Sequence, residues 1–251
     1  MSPRIHDLLA RGEGLDRAAI DAFVDANHSP IVEGPSVTFL FRGEADQVNL
    51  RHATYGLPSL EPFHRVPGTD LWYALLEVPE GSRIEYKLEV IRGDLRQLIR
   101  DPMNPHFARD PFGANSVCQC VGYVTPPWTQ FDPYARQGTF EHLTVSSQAL
   151  HSEREVQVYL PARLRSTRRY PLLVAFDGID YLRYAALGTV LDNLMHNHEM
   201  APVIVALCRP VDRMREYTGD AEHGRFILDE LVPLLESRFP IRSDPRERAL
   251  M

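Results

Sequence analysis

The sequence predicts two domains of different fold class, a β-sandwich followed by an α/β domain with a parallel sheet. Short runs with period-two alternation fill residues 30–122, and Gly, Pro, Asp and Asn turn residues separate them. Near-continuous apolar runs alternate with amphipathic helical segments over residues 141–251, which indicates parallel strands covered by helices on both faces. Residues 1–29 form a predicted N-terminal helical segment, and residues 123–140 a predicted linker.

Composition excludes several classes of protein. Hydrophobic residues make up 44% of the 251 residues and charged residues 24%, which excludes a largely disordered chain. The formal net charge of −7 argues against nucleic-acid binding, because phosphate recognition depends on clustered cations. No apolar run approaches the roughly 20 residues of a membrane-spanning helix, and the N-terminus lacks the apolar core of a secretory signal. We therefore expect a cytoplasmic protein that binds neither nucleic acid nor membrane.

The N-terminal half begins with a predicted helix over residues 15–27, which Asp16 can cap. Five strands are then predicted over residues 37–41, 47–50, 72–76, 84–90 and 116–118. Several short strands at this spacing are typical of a β-sandwich of about a hundred residues.

Aromatic residues in the predicted sandwich allow two interpretations. They could form a sugar-stacking platform, but alternating aromatics in strands are far more often core residues or cross-strand pairs, and we favour the core. These residues are Phe63, Trp72, Tyr73, Tyr86 and Phe112.

The C-terminal half starts after a proline-rich and aromatic stretch that reads as a packed linker. Strands are predicted over residues 141–147, 153–160, 171–176 and 202–207, and helices around residues 181–196 and 221–238.

Cysteine and histidine spacing predicts no metal site and no cofactor. Cys118, Cys120 and Cys208 form neither a C-x-x-C motif nor an even set, so we expect reduced, structural thiols. His196, His198 and His223 lack the short, regular spacing of zinc ligands and are interpreted as surface or capping residues.

Several short motifs together resemble one enzyme family. In the C-terminal half they are residues 174–178 (VAFDG), 213–217 (RMREY), 226–233 (FILDELVP) and 248–251 (RALM). In the N-terminal half they are residues 86–88 (YKL), 101–105 (DPMNP) and 112–116 (FGANS). The chain resembles the enterochelin esterase-like (esterase D-type) branch of the α/β-hydrolases, which cleaves siderophore trilactones and related esters. The resemblance implies an Ig-like (E-set) β-sandwich before an α/β-hydrolase domain of three layers (αβα), with a small-molecule, siderophore-like ester as substrate.

Asp177, Gly178 and Ile179 follow the apolar strand at the carboxyl edge of the predicted sheet, where ligands bind in open α/β folds. In an acyl hydrolase, a backbone N–H of this loop would donate to the tetrahedral oxyanion. The other interpretation is a plain strand-to-helix turn. The resemblance favours the oxyanion loop.

Arg213, Glu216 and Tyr217 lie after the next apolar strand, again at the carboxyl edge. An Arg213–Glu216 pair could hold a planar acid or phenolate group, or it could only brace the loop. The resemblance implies that this segment borders the substrate pocket.

The nucleophile of such an esterase is missing from the sequence. No G-x-S-x-G motif occurs in the 251 residues, so no catalytic serine, acid or histidine is assigned. We expect the N-terminal part of an α/β-hydrolase domain, and therefore a truncated and inactive ester hydrolase. The alternative is a non-catalytic binding or accessory protein whose sandwich recognises a carbohydrate or a partner.

An incomplete sheet also has consequences for assembly. The strand at residues 172–176 is expected at or near an open sheet edge, which can template pairing with another chain. We therefore expect an oligomer, or a chain that depends on a partner.

Overall fold

A computed structural model describes residues 3–12, 15–54 and 56–251. Residues 1, 2, 13 and 14 of the predicted N-terminal helical segment lie outside the described residues. The chain divides into two compact units, Met1–Val124 and Thr125–Met251. Within the described ranges, every helix is too short or too polar to cross a membrane.

The N-terminal unit consists of two short helices and antiparallel strands. The helices are α1 (Arg4–Leu9) and α2 (Arg17–Ala26). The strands are β1 (Ile31–Glu33), β2 (Ser36–Arg42), β3 (Gln47–His52), β4 (Leu60–Pro62), β5 (His64–Arg65), β6 (Leu71–Glu77), β7 (Arg83–Arg92), β8 (Leu95–Ile99), β9 (Phe107–Asp110) and β10 (Gly113–Gln119). They form one sheet in the order β1-β2-β6-β5 and a second in the order β4-β3-β7-β10-β9, with β8 also paired to β7.

Side-chain alternation along β2 explains how this unit is packed. Phe39 points into a cluster shared by strands of both sheets, whereas Leu40 belongs to a second cluster that α1 and α2 cover. The five predicted strands are confirmed, and Asp16 caps α2 by accepting from the Ala19 N–H at 2.8 Å. Five strands were not predicted: β1, β4 and β5 have only two or three residues, and the side chains of β8 and β9 are mostly exposed.

The aromatic residues of this unit mainly serve its core, as expected. Phe63, Trp72 and Tyr86 are at most 6% exposed and lie in the cluster shared by the two sheets. Phe112, in contrast, is 82% exposed. The five aromatic residues therefore do not form one sugar-stacking platform.

The C-terminal unit combines a mixed sheet with helices. Its strands are β11 (Thr139–Ser147), β12 (Ser152–Leu160), β13 (Leu172–Ala175), β14 (Ile204–Cys208) and β15 (Arg248–Leu250). Its helices are α3 (Gly178–Tyr184), α4 (Leu187–His196), α5 (Arg213–Glu216), α6 (Ala221–Arg225) and α7 (Val232–Arg238), with a π-helical turn (Phe226–Leu231) between α6 and α7. The sheet order is β11-β12-β14-β13-β15, and β13 runs parallel to both of its neighbours.

The position of β13 agrees with the expectation that this strand lies at or near an open sheet edge. β13 is the second strand from that edge, because β15 pairs with it on the side away from β14. In the described part of the sheet, the three-residue β15 is the edge on that side. The physical reason is that residues 248–250 continue the parallel ladder from β13.

Alternate side chains of the parallel strands pack into two hydrophobic cores, one on each face of the sheet. Val174 and Ala206 lie in a cluster with residues of the π-helical turn and α7. Ala175 and Leu207 lie in a cluster with Leu191 of α4. Burial on both faces explains why these strands are continuously apolar in sequence.

The helices differ from the sequence prediction in their continuity. The helix predicted over residues 181–196 is two helices, broken where Ala186 adopts a left-handed conformation with φ 51°. The linker packs as expected: the buried Asn193 side chain donates to the Trp128 and Gln130 carbonyl oxygens at 2.9 and 2.7 Å.

Candidate functional site

Three segments meet at the carboxyl edge of the parallel strands. One follows β13 and contains Asp177, one follows β14 and contains α5, and the third is the end of β15. The Phe176 N–H donates to the Met251 carbonyl oxygen at 2.7 Å, so the end of β15 lies beside the residue that precedes Asp177. The topology therefore brings the two predicted site segments together, as the sequence analysis expected for this edge.

Asp177 adopts a left-handed backbone conformation that side chains from the α5 segment hold. Its φ and ψ are 51° and 26°, values that few non-glycine residues adopt. The Asp177 N–H donates to Tyr217 Oη at 2.9 Å, and Arg213 Nε donates to Asp177 Oδ2 at 2.9 Å. The Tyr217 hydroxyl in turn donates to Asp177 Oδ1 at 3.3 Å, and its ring stacks on Phe176 with centroids 5.2 Å apart. The Asp177 N–H is therefore occupied.

Gly178 is required by close packing against the neighbouring strand. It is the first residue of α3 and is buried. A Cβ at this position would lie 2.6 Å from the Leu207 Cα and 2.7 Å from the Leu207 Cβ. The adjacent Ile179 packs against the core on this face of the sheet. The start of α3 is thus pressed directly onto β14.

Arg213 and Glu216 do not form the predicted pair. Arg213, whose side chain is 56% exposed, pairs with Asp177. Glu216, 6% exposed, pairs with Arg154 of β12, and Arg154 Nη2 donates to Glu216 Oε2 at 2.5 Å. The prediction failed because α5 turns the two side chains to different surroundings, one to solvent and one to the core.

Glu216 anchors its own loop as well as binding Arg154. Its Oε1 accepts from the Val211 and Asp212 N–H groups, both at 3.1 Å. Burial by itself raises the pKa of Glu216, but the hydrogen bonds from Arg154 and the two backbone groups outweigh it, and the pKa lies below its ordinary value. The carboxylate therefore remains charged and fixes the segment that carries Arg213 and Tyr217.

His223 is buried, which corrects its interpretation as a surface or capping residue. It is 6% exposed and lies among Phe176, Tyr217 and Phe226, with ring centroids 5.1 to 6.3 Å away. Its Nε2 lies 3.9 Å from Glu216 Oε2. Burial is the main reason that the pKa of His223 is lowered.

The cysteines are free and buried, as expected. Burial raises the pKa of Cys208 to about 12, so the thiol beside this cluster stays protonated and is a poor nucleophile. Among the described residues, no cluster of His, Cys, Asp and Glu could hold a metal ion.

Arg154 was not predicted as a site residue, and His223 was wrongly interpreted as a surface or capping residue. Arg154 stands between Glu153 and Glu155, a pattern that reads as solvent-facing. The alternation of burial along β12 was the available signal, because Arg154 shares its face with the apolar Val156 and Val158.

Known proteins resemble the chain in sequence and in fold. Residues 147–251 match the model of the esterase family, described as "Putative esterase". The uncharacterized protein YjcH of Bacillus subtilis (strain 168) is 28% identical over 112 residues, which are 42% of this chain and 47% of that protein. The enterobactin esterase FES from Shigella flexneri, solved in the presence of enterobactin, has a TM-score of 0.64 and 21% identity, covering 85% of this chain and 63% of that chain. For the ferric enterobactin esterase from Salmonella typhimurium the values are 0.66 and 19%, covering 85% and 64%.

The matched regions span about half of the curated relative and less than two thirds of these two solved chains. At such identities the structural likeness establishes a common fold.

Proposed function

We propose that the protein is an enterochelin esterase-like carboxylic ester hydrolase, because residues 147–251 match the model of the esterase family. Residues 30–122 would form its Ig-like β-sandwich, and residues 141–251 the N-terminal part of its α/β-hydrolase domain. The fold shared with the enterobactin esterases supports this assignment. The alternative of a carbohydrate-binding sandwich has less support, because Phe63, Trp72 and Tyr86 are buried.

The observation that carries the proposal is the hydrogen bond from the Phe176 N–H to the Met251 carbonyl oxygen. It sets the end of β15 next to the Asp177 loop. In an α/β-hydrolase, a strand ends in the sharp turn that presents the serine, and an N–H from another loop completes the oxyanion hole. Residues that follow Met251 would thus start within reach of the candidate oxyanion loop.

Gly178 and Ile179 would supply the oxyanion donor. The Asp177 N–H already donates to Tyr217, whereas N–H groups in the first turn of a helix have no partner within the helix. Asp177, Arg213 and Tyr217 would then have a positioning role, because they fix the backbone just before these donors. A preorganised donor is typically worth a factor of about 10² to 10³ in kcat.

The proposed substrate is a small-molecule ester of the siderophore type. Enterobactin esterase FES from Shigella flexneri was solved in the presence of enterobactin and of 2,3-di-hydroxy-N-benzoyl-serine. A serine hydrolase also needs a nucleophile, a base and an orienting acid. In this proposal those three groups lie outside the 251 residues, and the 251-residue chain alone is inactive.

The coding DNA beyond Met251 provides the first test. We expect a reading frame, continuous or frameshifted, that encodes Gly-x-Ser-x-Gly within a few codons. Protein made from the complete frame should hydrolyse a p-nitrophenyl ester, and the 251-residue chain should show no turnover above background. A genuine stop with no such motif downstream would contradict the esterase proposal, and turnover by the 251-residue chain would contradict its inactivity.

Tyr217→Phe in the complete-frame protein tests the positioning role. The substitution keeps the ring stacked on Phe176 but removes the oxygen that accepts from the Asp177 N–H. We expect kcat to fall by about tenfold, with little change in KM. Tyr181→Phe is the matched control, because Tyr181 lies in α3 with its side chain partly exposed and should leave kcat unchanged. Equal kcat for both variants would remove Tyr217 from the proposed mechanism.

A further inference from the structure

A cavity opens at the amino edge of the C-terminal sheet, opposite the edge that carries the candidate ester site. It has a volume of about 930 Å³ and is lined by residues of the C-terminal unit. The lining residues come from the loop that precedes β11, the loop between β12 and β13, and the segment between α4 and β14. These segments lie where β13 and β14 begin, so a strand of four or five residues, roughly 13 Å, separates the cavity from the candidate ester site.

Four arginines line this cavity, and we call it the arginine groove: Arg136, Arg163, Arg165 and Arg168. All four are exposed. Within residues 3–12, 15–54 and 56–251, none of them forms an ion pair with a carboxylate. Glu199 is the acidic member of the lining, which leaves a formal surplus of three positive charges.

This surplus is unusual in its setting, because the whole chain carries a formal net charge of −7. Unpaired arginines repel one another and raise the free energy of the folded state unless an anion occupies the space between them. The carboxyl end of α4 faces the groove through His196 and opposes an anion with about half a charge. That partial charge and Glu199 reduce the positive field but do not cancel four guanidinium groups.

Backbone strain also concentrates in the groove. Arg163 and His198 adopt left-handed conformations, with φ values of 59° and 60°. Such conformations are costly for residues with a side chain and persist where the surrounding structure, often at a ligand site, requires them. Both residues line the groove, Arg163 in the loop between β12 and β13 and His198 in the segment between α4 and β14.

We propose that the arginine groove binds a small organic polyanion with about three negative charges, from the phosphate or the polycarboxylate class. Guanidinium groups bind both classes through paired N–H···O hydrogen bonds. The volume fits a small-molecule site, and Pro161, Met195 and Met200 provide an apolar floor for the carbon skeleton of the ligand.

Calorimetric titration of the 251-residue chain at fixed ionic strength tests the proposal, with pyrophosphate and citrate as separate probes. We expect at least one probe to bind with a Kd below the millimolar range. Stronger binding of pyrophosphate would identify the phosphate class, stronger binding of citrate the polycarboxylate class, and equal binding a site selective for charge alone. The measurement needs no ester turnover, so it is independent of the proposed esterase function.

Substitution of the exposed arginines locates the binding. The double variant Arg163→Gln with Arg168→Gln should bind the probe at least about tenfold more weakly. Arg238→Gln is the matched control, because Arg238 is an exposed arginine outside the groove and its replacement should leave Kd unchanged. Thermal unfolding without a probe confirms that each variant is folded. The absence of binding at millimolar concentrations, or equal weakening by the control, would overturn the proposal.

Discussion

The two edges of the C-terminal sheet use arginine in opposite ways. At the carboxyl edge, Arg154 binds Glu216 and Arg213 binds Asp177, so each guanidinium fixes a loop. At the amino edge, the four arginines of the arginine groove have no carboxylate partner among the described residues. The arginines of the carboxyl edge thus fix the positions of loops, whereas the arginines of the amino edge remain available to bind a ligand.

Arg154→Met should cause the largest loss in the free energy of unfolding and so distinguish the carboxyl edge from the amino edge. It removes one partner of a buried ion pair and leaves Glu216 charged and buried, which typically costs about 3–5 kcal/mol. The free energy of unfolding of the C-terminal unit can be measured in urea through Trp128. Because Trp72 is the other tryptophan, a Trp72→Phe background makes the signal specific to this unit.

Arg163→Met is the matched control at the amino edge. Since its side chain is exposed and forms no ion pair with any other described residue, we expect a change within about 0.5 kcal/mol. Adding Glu216→Gln to Arg154→Met should recover much of the loss, because the amide oxygen can still accept from the Val211 and Asp212 N–H groups. Similar losses for Arg154→Met and Arg163→Met would end the distinction between the edges.

Gly178→Ala should have the next largest effect. The new methyl group would lie 2.6 Å from the Leu207 Cα, a backbone atom that cannot move without displacing β14. We expect a loss of about 1–3 kcal/mol in the free energy of unfolding, measured as above.

Gly224→Ala in α6 is the control for Gly178→Ala. A Cβ there meets no atom within 4 Å, and alanine favours the helix by up to about 1 kcal/mol. If both variants were equally stable, the start of α3 would not be pressed onto β14 as the structure indicates.

Some of this arrangement follows from the sequence because the signal is local. The apolar strands β13 and β14 are buried on both faces, so their position and parallel pairing could be predicted from continuous apolar runs. The location of Asp177 after β13 could be predicted for the same reason.

Other features depend on residues distant in sequence and could not be predicted. Glu216 finds Arg154 across 62 positions, so its spacing from Arg213 was misleading. His223 stands in a polar stretch of α6, and its aromatic neighbour Phe176 directly follows the distant strand β13. The arginine groove could not be predicted, because the local run that contains Arg163, Arg165 and Arg168 is typical of a solvated loop, and net charge does not show which cations surround a cavity.

His223 makes the stability of the carboxyl edge depend on pH. Since its pKa is lowered in the folded protein, the unfolded chain binds the proton more tightly. The stability it contributes is present above about pH 6.5 and is lost as the pH falls toward its folded pKa. The slope for one proton is at most about 1.4 kcal/mol per pH unit.

Urea unfolding at several pH values between about 7.5 and 5.5 measures this slope. Glu216, whose pKa is lowered, adds its own loss only below its ordinary pKa of about 4.5, outside this window. Asp220, another charged group near His223, has a lowered pKa and stays ionised throughout this window. His223→Gln should flatten the slope, because it removes the titrating group. A slope that stays the same in His223→Gln would contradict the assignment to His223.

Arg163→Gly should have the smallest effect, and in the opposite direction. Glycine relieves the left-handed strain at φ 59°, but it also raises the conformational entropy of the unfolded chain. The balance should be a gain of at most about 1 kcal/mol in the free energy of unfolding. The same variant should bind the polyanion probe more weakly. A gain in stability together with a loss of binding is expected where a strained residue is kept for a ligand. A loss of stability without any loss of probe binding would contradict this expectation. Arg163 would then stabilise its loop, as the arginines of the carboxyl edge do, and would not bind a ligand.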